Sequence, residues 1–373
     1  MTPQRCLLAA IITVCFFGSP AYPVPPGLPY PSKTAAAALI RNLAPPAAVA
    51  SLIRNPATSL IRNFTPAAAA ALIRNPATSL IRNPSISIDP IIVSSDSANC
   101  IIPFTRIGNL ILIQAKADTT TGFFVLDTGT PGLVLNLTYF RYYPTSNPIE
   151  GGGLTGSVLM AAKTTVDSLR LGPISYFHLE ADLISLGHIE NNKGVKIFGL
   201  LGMRLFEHFE MIMDYNAGVI YLHLIGKKES AAYHSDQLTD TTAYNTIPID
   251  IEEGKIIVYL YLKGKKLKFI IDSGAETNVL DSRLPNQVFE QVVITRRVML
   301  NGSGNHKVEA LYGDLKGLQI GGHDIGSLPV LITNLESMCD AYNNCLNGML
   351  GFDFLSLHKI GFNFVKRKMY IWK

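Results

Sequence analysis

An all-β protein with two lobes, each a copy of one β-barrel unit carrying a few short helices, is the fold class that this sequence predicts. Two observations carry that expectation. The first is a pair of similar stretches, Phe124-Val125-Leu126-Asp127-Thr128-Gly129 and Phe269-Ile270-Ile271-Asp272-Ser273-Gly274, in which apolar residues run into an acid, a small hydroxyl residue and a glycine. The second is a steady register between the halves. Ile102-Pro103 and Asp127 recur 145 positions later as Ile247-Pro248 and Asp272, while Gly172, Gly202 and Tyr221 recur 149 positions later as Gly321, Gly351 and Tyr370. A register held over so long a span indicates internal duplication. At 373 residues, with 48% hydrophobic and 16% charged, the chain has ample apolar material for two buried cores.

Taken in order, residues 1–21 read as a secretory signal peptide. Arg5 is a sparse n-region, Cys6 to Phe17 an apolar run, and Ser19-Pro20-Ala21 a small-x-small cleavage site. The run is too short to cross a bilayer as a helix. The expectation is an exported protein, periplasmic or secreted, with no stable membrane span after signal cleavage. An uncleaved anchor, or a lipid on Cys15 despite the bulky Val14, would leave it membrane-associated. Residues 22–90 form an Ala/Pro-rich low-complexity tail in which Leu-Ile-Arg-Asn recurs at Leu39, Leu52, Leu60, Leu72 and Leu80. Each unit has the punctuation of a helix, such as Thr65-Pro66 before an alanine run and Asn75 before Pro76, but is too short to be a stable one alone. A flexible tether is the expectation. A removable pro-segment that lays its arginines over the acidic residues, and a membrane-surface segment, are the alternatives.

Residues 91–225 are the expected first lobe. Ile111 to Ala117 and Phe123 to Leu126 are short apolar and β-branched runs around the turn-like Asp118-Thr119-Thr120-Thr121-Gly122, a hairpin that delivers Asp127 at its end. Gly132 to Leu137 makes another strand. Leu169-Arg170-Leu171-Gly172 reads as strand and turn, Phe198 to Gly202 as a buried strand ending in glycine, Leu205 to Phe209 as a short helix, and Met211 to Leu224 as a hairpin around Asn216-Ala217-Gly218. Residues 226–245 are polar and read as a linker, and residues 246–373 repeat the same succession as the second lobe.

Charge argues against a polyanionic partner. Before Asp89 there is no acid, and seven basic residues fall there, so of the net +4 nothing positive remains for the two lobes; no nucleic-acid partner is expected. The eight histidines and five cysteines show no metal-ligand spacing, so neither a metal nor another cofactor is expected. Gly151, Gly153 and Gly156 satisfy a dinucleotide fingerprint, but Pro144, Pro148 and a β-like run surround them where that motif needs a strand and an opening helix. In an oxidising compartment Cys339 and Cys345 are spaced to close a small disulfide loop, leaving Cys100 odd; three free thiols are the alternative.

An acid placed between an apolar strand and a hydroxyl-Gly pair has a chemical use when it occurs twice. Glycine lets backbone from the opposite copy approach closely, and the hydroxyls of Thr128 and Ser273 can donate and accept across the junction. Two carboxylates held side by side cannot both ionise, so they share a proton. One then acts as general base towards water while the other polarises a carbonyl oxygen.

Here a family resemblance becomes visible. Val125 to Asn136, Val-Leu-Asp-Thr-Gly-Thr-Pro-Gly-Leu-Val-Leu-Asn, and Ile270 to Asp281, Ile-Ile-Asp-Ser-Gly-Ala-Glu-Thr-Asn-Val-Leu-Asp, are each followed by an apolar-apolar-Gly segment, at Leu200-Leu201-Gly202 and Met349-Leu350-Gly351. Residues 100 to 373 resemble the pepsin/retropepsin superfamily of aspartic proteases, in the form of a bacterial-type protein with two retropepsin-like lobes. The resemblance implies a bilobal acid-protease fold and an aspartic endopeptidase whose catalytic pair is Asp127 and Asp272. It implies active-site loops supported by Thr128, Gly129, Thr130, Ser273, Gly274 and Ala275, a polypeptide substrate in the interlobe cleft, and a monomer, since both lobes lie in one chain. A flap is expected at Gly151, Gly152, Gly153 and Gly156, with Asn301-Gly302-Ser303-Gly304 as its counterpart. Thr130 carries a hydroxyl where the second lobe has Ala275, which predicts unequal acids and a pH optimum less acidic than a gastric pepsin's. Two other classes stay open at this point: a catalytically inactive peptide-binding or surface module of the same fold, and a glycosidase, whose carboxyls would have to stand apart.

Overall fold

The computed structural model describes residues 92–93, 99–146, 149–153, 156–226, 229, 235–301, 307–341 and 345–373. The signal segment and the Leu-Ile-Arg-Asn tail, with the roles expected of them, lie outside these residues. The described chain is mostly β-strand, as expected, with a few short helices. Apolar runs become strands because extended backbone packs β-branched side chains well and turns them to alternate faces. Lys265–Ile271 is a case in point: exposed at Lys265 and Lys266, it becomes wholly buried over Phe269, Ile270 and Ile271, immediately before the acid.

Three sheets form. The first-lobe sheet runs Ile92–Val93, Ile174–Ile184, Leu133–Asn136, Gly199–Leu201, Thr120–Leu126, Leu110–Ala117, Gly156–Leu171 and Ile149–Gly153, with Thr105–Ile107 paired to Leu110–Ala117. The second-lobe sheet runs Val292–Asn301, Lys307–Leu315, Leu328–Thr333, Asn278–Asp281, Gly348–Leu350, Lys265–Ile271, Lys255–Leu262, Leu318–Ile320 and His323–Asp324. A six-stranded sheet draws on both halves, in the order Tyr244–Pro248, Lys368–Trp372, Ile360–Asn363, Phe209–Asp214, Val219–Leu224 and Asn99–Pro103. Its central antiparallel pair joins Glu210 to Asn363 and Met213 to Ile360. One face buries Met211, Met213, Leu222, Phe362 and Met369 in the largest apolar core, which takes residues from both lobes. Glu210 and Asn363 are also buried, and Asn363 Nδ2 donates to Glu210 Oε2 at 2.8 Å.

Several boundaries differ from the sequence expectation. The first hairpin turns over Asp118-Thr119 alone, with Ala117 opposite Thr120, because Asp118 takes a left-handed conformation at φ 49°. Its carboxylate accepts from Ser168 N at 2.8 Å and from the Tyr143 hydroxyl at 2.7 Å. The helix expected at Leu205 to Phe209 is a 3₁₀ turn at Met203–Phe206, and Phe209 already begins a strand, since its side chain is wholly buried in the core. Tyr244 and Asn245, read as linker, belong to a strand paired with Trp372 and Ile371. Cys100, Cys339 and Cys345 are free thiols, so the Cys339–Cys345 bridge is not formed here, although Cys339 acts on the Cys345 thiol and raises it.

Candidate active site

The two acids are placed by one local device used twice. Gly199–Leu201 pairs in parallel with Thr120–Leu126 and antiparallel with Leu133–Asn136, and Asp127 N donates to Leu201 O at 3.0 Å. In the second lobe Gly348–Leu350 pairs in parallel with Lys265–Ile271, and Asp272 N donates to Leu350 O at 2.9 Å. Each loop after the acid then folds back beneath the apolar-apolar-Gly segment: Met203 N donates to Thr130 O at 2.9 Å and Phe352 N to Ala275 O at 2.8 Å. A side chain at Gly202 or Gly351 would run into the backbone of these loops. The glycine of the segment is thus a packing requirement.

The loops meet across the lobes. Thr128 N donates to Ser273 Oγ at 3.0 Å, and Ser273 N donates to Thr128 Oγ1 at 2.9 Å. Each hydroxyl in turn donates to a carbonyl on the strand of the opposite lobe, Thr128 Oγ1 to Ile271 O at 3.0 Å and Ser273 Oγ to Leu126 O at 2.8 Å. All four bonds are buried, which lends them strength and makes the loss of any partner costly. Gly129 lies against the Asp272 carboxylate, and a Cβ on Gly274 would stand 2.7 Å from Asp127 Cγ. Both glycines are therefore needed for the carboxylates to approach one another.

Asp127 and Asp272 are each 2% exposed and hydrogen-bonded to one another. Asp127 receives three further donors: Gly129 N at 2.9 Å and Thr130 N at 3.1 Å on Oδ1, and the Thr130 hydroxyl at 2.8 Å on Oδ2. Asp272 receives Gly274 N at 2.8 Å and Ala275 N at 3.2 Å, both on Oδ1, with no hydroxyl at the buried Ala275. Burial lifts both carboxyls above their ordinary range. For Asp127 the Thr130 hydroxyl and the other donors pull back, whereas for Asp272 the neighbouring Asp127 charge pushes further up, well above that range. The two carboxyls titrate as one coupled pair, and the additional Thr130 donor makes Asp127 the easier of the two to ionise. Carboxyls in direct contact leave no room for a sugar between them, which removes the glycosidase reading.

The glycine-rich stretch forms a hairpin: Ile149–Gly153 pairs with Gly156–Leu171, with Gly151 opposite Val158, Gly152 opposite Ser157 and Gly153 opposite Gly156. The backbone of Ile149–Gly153 lies against the second-lobe helix Glu336–Ala341, so the hairpin reaches across from one lobe to the other. Its counterpart Val292–Asn301 pairs with Lys307–Leu315, but Gly302, Ser303 and Gly304 lie outside the described residues. Among the described residues no cluster of three or more metal-ligating side chains comes together.

Two features escaped the sequence reading. Lys193, ending the helix Gly187–Lys193, reaches Glu276 of the second active-site loop at 2.6 Å, and Asn109 Nδ2 donates to the Glu276 carbonyl at 2.9 Å. Lys255 is 4% exposed, its amine pushed down to about 8 by burial, with the Glu253 charge and, less strongly, the Asp272 charge opposing that effect. Only the 145-residue register could have hinted at either, by setting Glu276 opposite Pro131 and Lys255 opposite Leu110.

Residues 258–354 match a family described as aspartyl protease. No curated protein matches the sequence. Among solved structures, the chain is similar to basic 7S globulin from soybean, at 10% identity and a TM-score of 0.40, covering 74% of this chain and 94% of that one. It is similar also to conglutin gamma, a basic 7S globulin from lupine seeds, at 12% identity and a TM-score of 0.40, covering 74% and 95%.

Proposed function

With the resemblance to the pepsin/retropepsin-like superfamily borne out by the family match and the two-lobed all-β fold, we propose that this protein is an exported aspartic endopeptidase. It hydrolyses peptide bonds with a water held between Asp127 and Asp272. The observation that carries the reading is the buried, hydrogen-bonded pair of carboxyls in which one acid has a hydroxyl donor and the other has none. Ionised Asp127 takes a proton from the water as its oxygen attacks the scissile carbonyl carbon, and Asp272 delivers its proton to the carbonyl oxygen. The tetrahedral intermediate then collapses with proton transfer to the leaving amine. The reading takes the two lobes as copies of one unit. It makes Gly151, Gly152, Gly153 and Gly156 part of a flap over a polypeptide lying in the interlobe cleft with apolar residues around the cut. It also takes the protein to be a monomer, periplasmic or secreted; no described helix is long and apolar enough to cross a membrane.

The test is cleavage of an unbiased peptide library by wild type, Asp127→Asn and Asp272→Asn, with and without a statine-type inhibitor. The expected result is wild-type cleavage that the inhibitor blocks and either substitution abolishes. Undiminished cleavage by either variant would defeat the mechanism. Peptide binding without cleavage, after removal of the first 90 residues, would assign the protein to the non-catalytic class instead.

A further inference from the structure

Away from the carboxyl pair, a second set of reactive side chains gathers at the helix Glu336–Ala341. Cys339 on this helix is buried, Cys345 beyond it is exposed, and the neighbouring Cys339 side chain is what raises the Cys345 thiol most. The two side chains thus interact while both thiols remain free, and a disulfide between them requires, besides an oxidant, that the residues come close with their Cβ atoms facing one another. Arg283 holds the buried partner in place: its Nη2 donates to Cys339 Sγ at 2.9 Å and to Asp281 Oδ2 at 2.8 Å, and its Nε donates to Asp281 Oδ1 at 3.1 Å. The Leu335 amide also donates to Asp281 Oδ1, at 3.4 Å, so the start of the helix and the buried thiol share one anchor. A helix of six residues has little stability of its own, and this one depends on that anchor. The same helix is the second-lobe surface against which the hairpin strand Ile149–Gly153 lies.

We propose that Cys339 and Cys345 are a redox-reversible disulfide pair, closed by exchange with a low-molecular-weight disulfide, and that closing it steadies the helix beneath the hairpin. The Cys345 thiolate attacks one sulfur of the small disulfide, forming a mixed disulfide and releasing one small thiolate. The Cys339 thiolate then attacks the Cys345 sulfur, forming the internal bond and releasing the second. The protein loses two protons and two electrons, and the small disulfide is reduced to two thiols. Exposed Cys345 is the sulfur an external reagent meets first, and buried Cys339 is the resolving sulfur. The bond closes a ring over the five intervening residues and so narrows the conformations open to the helix end. That this affects substrate entry rests on the endopeptidase reading; the disulfide does not.

The experiment treats the full-length protein with oxidised glutathione, then with dithiothreitol, and follows three signals: peptide mapping under non-reducing conditions, backbone hydrogen exchange, and peptide turnover. The expected product is a Cys339–Cys345 linked peptide lacking two hydrogens, absent in Cys345→Ser and Cys339→Ala and reversed by dithiothreitol. Exchange should slow in both the helix and the hairpin. A stable glutathione adduct on Cys345 as the end product, a bridge to Cys100, or a linked peptide with unchanged hairpin exchange would overturn the inference. Linkage with slowed exchange but no turnover in either redox state would uphold it and overturn the endopeptidase reading instead.

Discussion

Replacing Thr130 with Val keeps the volume of the side chain and deletes the hydroxyl that donates to Asp127 Oδ2 at 2.8 Å in a site 2% exposed. A hydrogen bond to a charged group contributes about 1.5–3 kcal/mol, and here that stabilisation goes to the ionised carboxylate, so its loss should raise the Asp127 pKa. Burial already holds this acid above its ordinary range and the Thr130 hydroxyl is the largest influence pulling it back. The shift is therefore upward. Because Asp127 must be ionised to take a proton from water, the acid limb of the kcat/KM profile should move to higher pH, with the plateau less affected. Thr130→Ser, which restores a hydroxyl, should return the limb towards the wild-type position. Profiles measured with a fluorogenic peptide for the three proteins decide the matter. An acid limb unmoved in Thr130→Val, or moved equally in Thr130→Ser, would refute the assignment of the hydroxyl's role.

The remaining predictions concern stability and the contacts between lobes. Asp272 is raised well above its ordinary range by burial and by the Asp127 charge, so the folded protein keeps a proton that the unfolded chain releases. Its contribution is fully present below about pH 4 and is lost as pH rises through the native value. Asp272→Asn should therefore gain in thermal midpoint over wild type between pH 4 and 7 and lose that advantage below about pH 4; a difference independent of pH in melts followed by circular dichroism would count against this. Thr128→Val leaves Ser273 N and the Ile271 carbonyl without their buried partner and should cost about 2–4 kcal/mol in urea unfolding. Combining it with Ser273→Ala should cost less than the sum, because the two side chains share one network; strict additivity would show that they do not act together. Lys193→Met strands a Glu276 carboxylate whose other oxygen is buried with no hydrogen-bond partner, at a cost of about 3–5 kcal/mol. Adding Glu276→Gln should recover part of that loss in the same assay, and no recovery would mean that the ion pair is not what the substitution breaks.

Much of the chain could be read without its structure because the relevant signals are local. The apolar run before Asp127 and before Asp272 forces a buried strand, Gly172 and Gly218 with their positive φ mark turns, and Asn216 to Gly218 closes the hairpin between Phe209–Asp214 and Val219–Leu224. The short helices at Leu137–Phe140, Gly187–Lys193, Asn286–Phe289, Glu336–Ala341 and Phe352–Leu355 were not legible. At four to seven residues they are too short for a helical period to register, and packing rather than propensity holds them.

By itself the sequence determined that two acids each end a buried strand and are followed by a small hydroxyl residue and a glycine, and that Thr130 and Ala275 make the two loops unequal. Only the tertiary structure decided that the carboxyls touch and that Thr128 and Ser273 exchange hydrogen bonds from 145 residues apart. It alone put Lys193 on Glu276, and the Cys339 helix beneath the hairpin strand. The physical reason is the range of the interactions. Strand burial and turn conformation are set by a residue's immediate neighbours, whereas contact between distant side chains exists only once the sheets have closed and the two lobes have packed against one another.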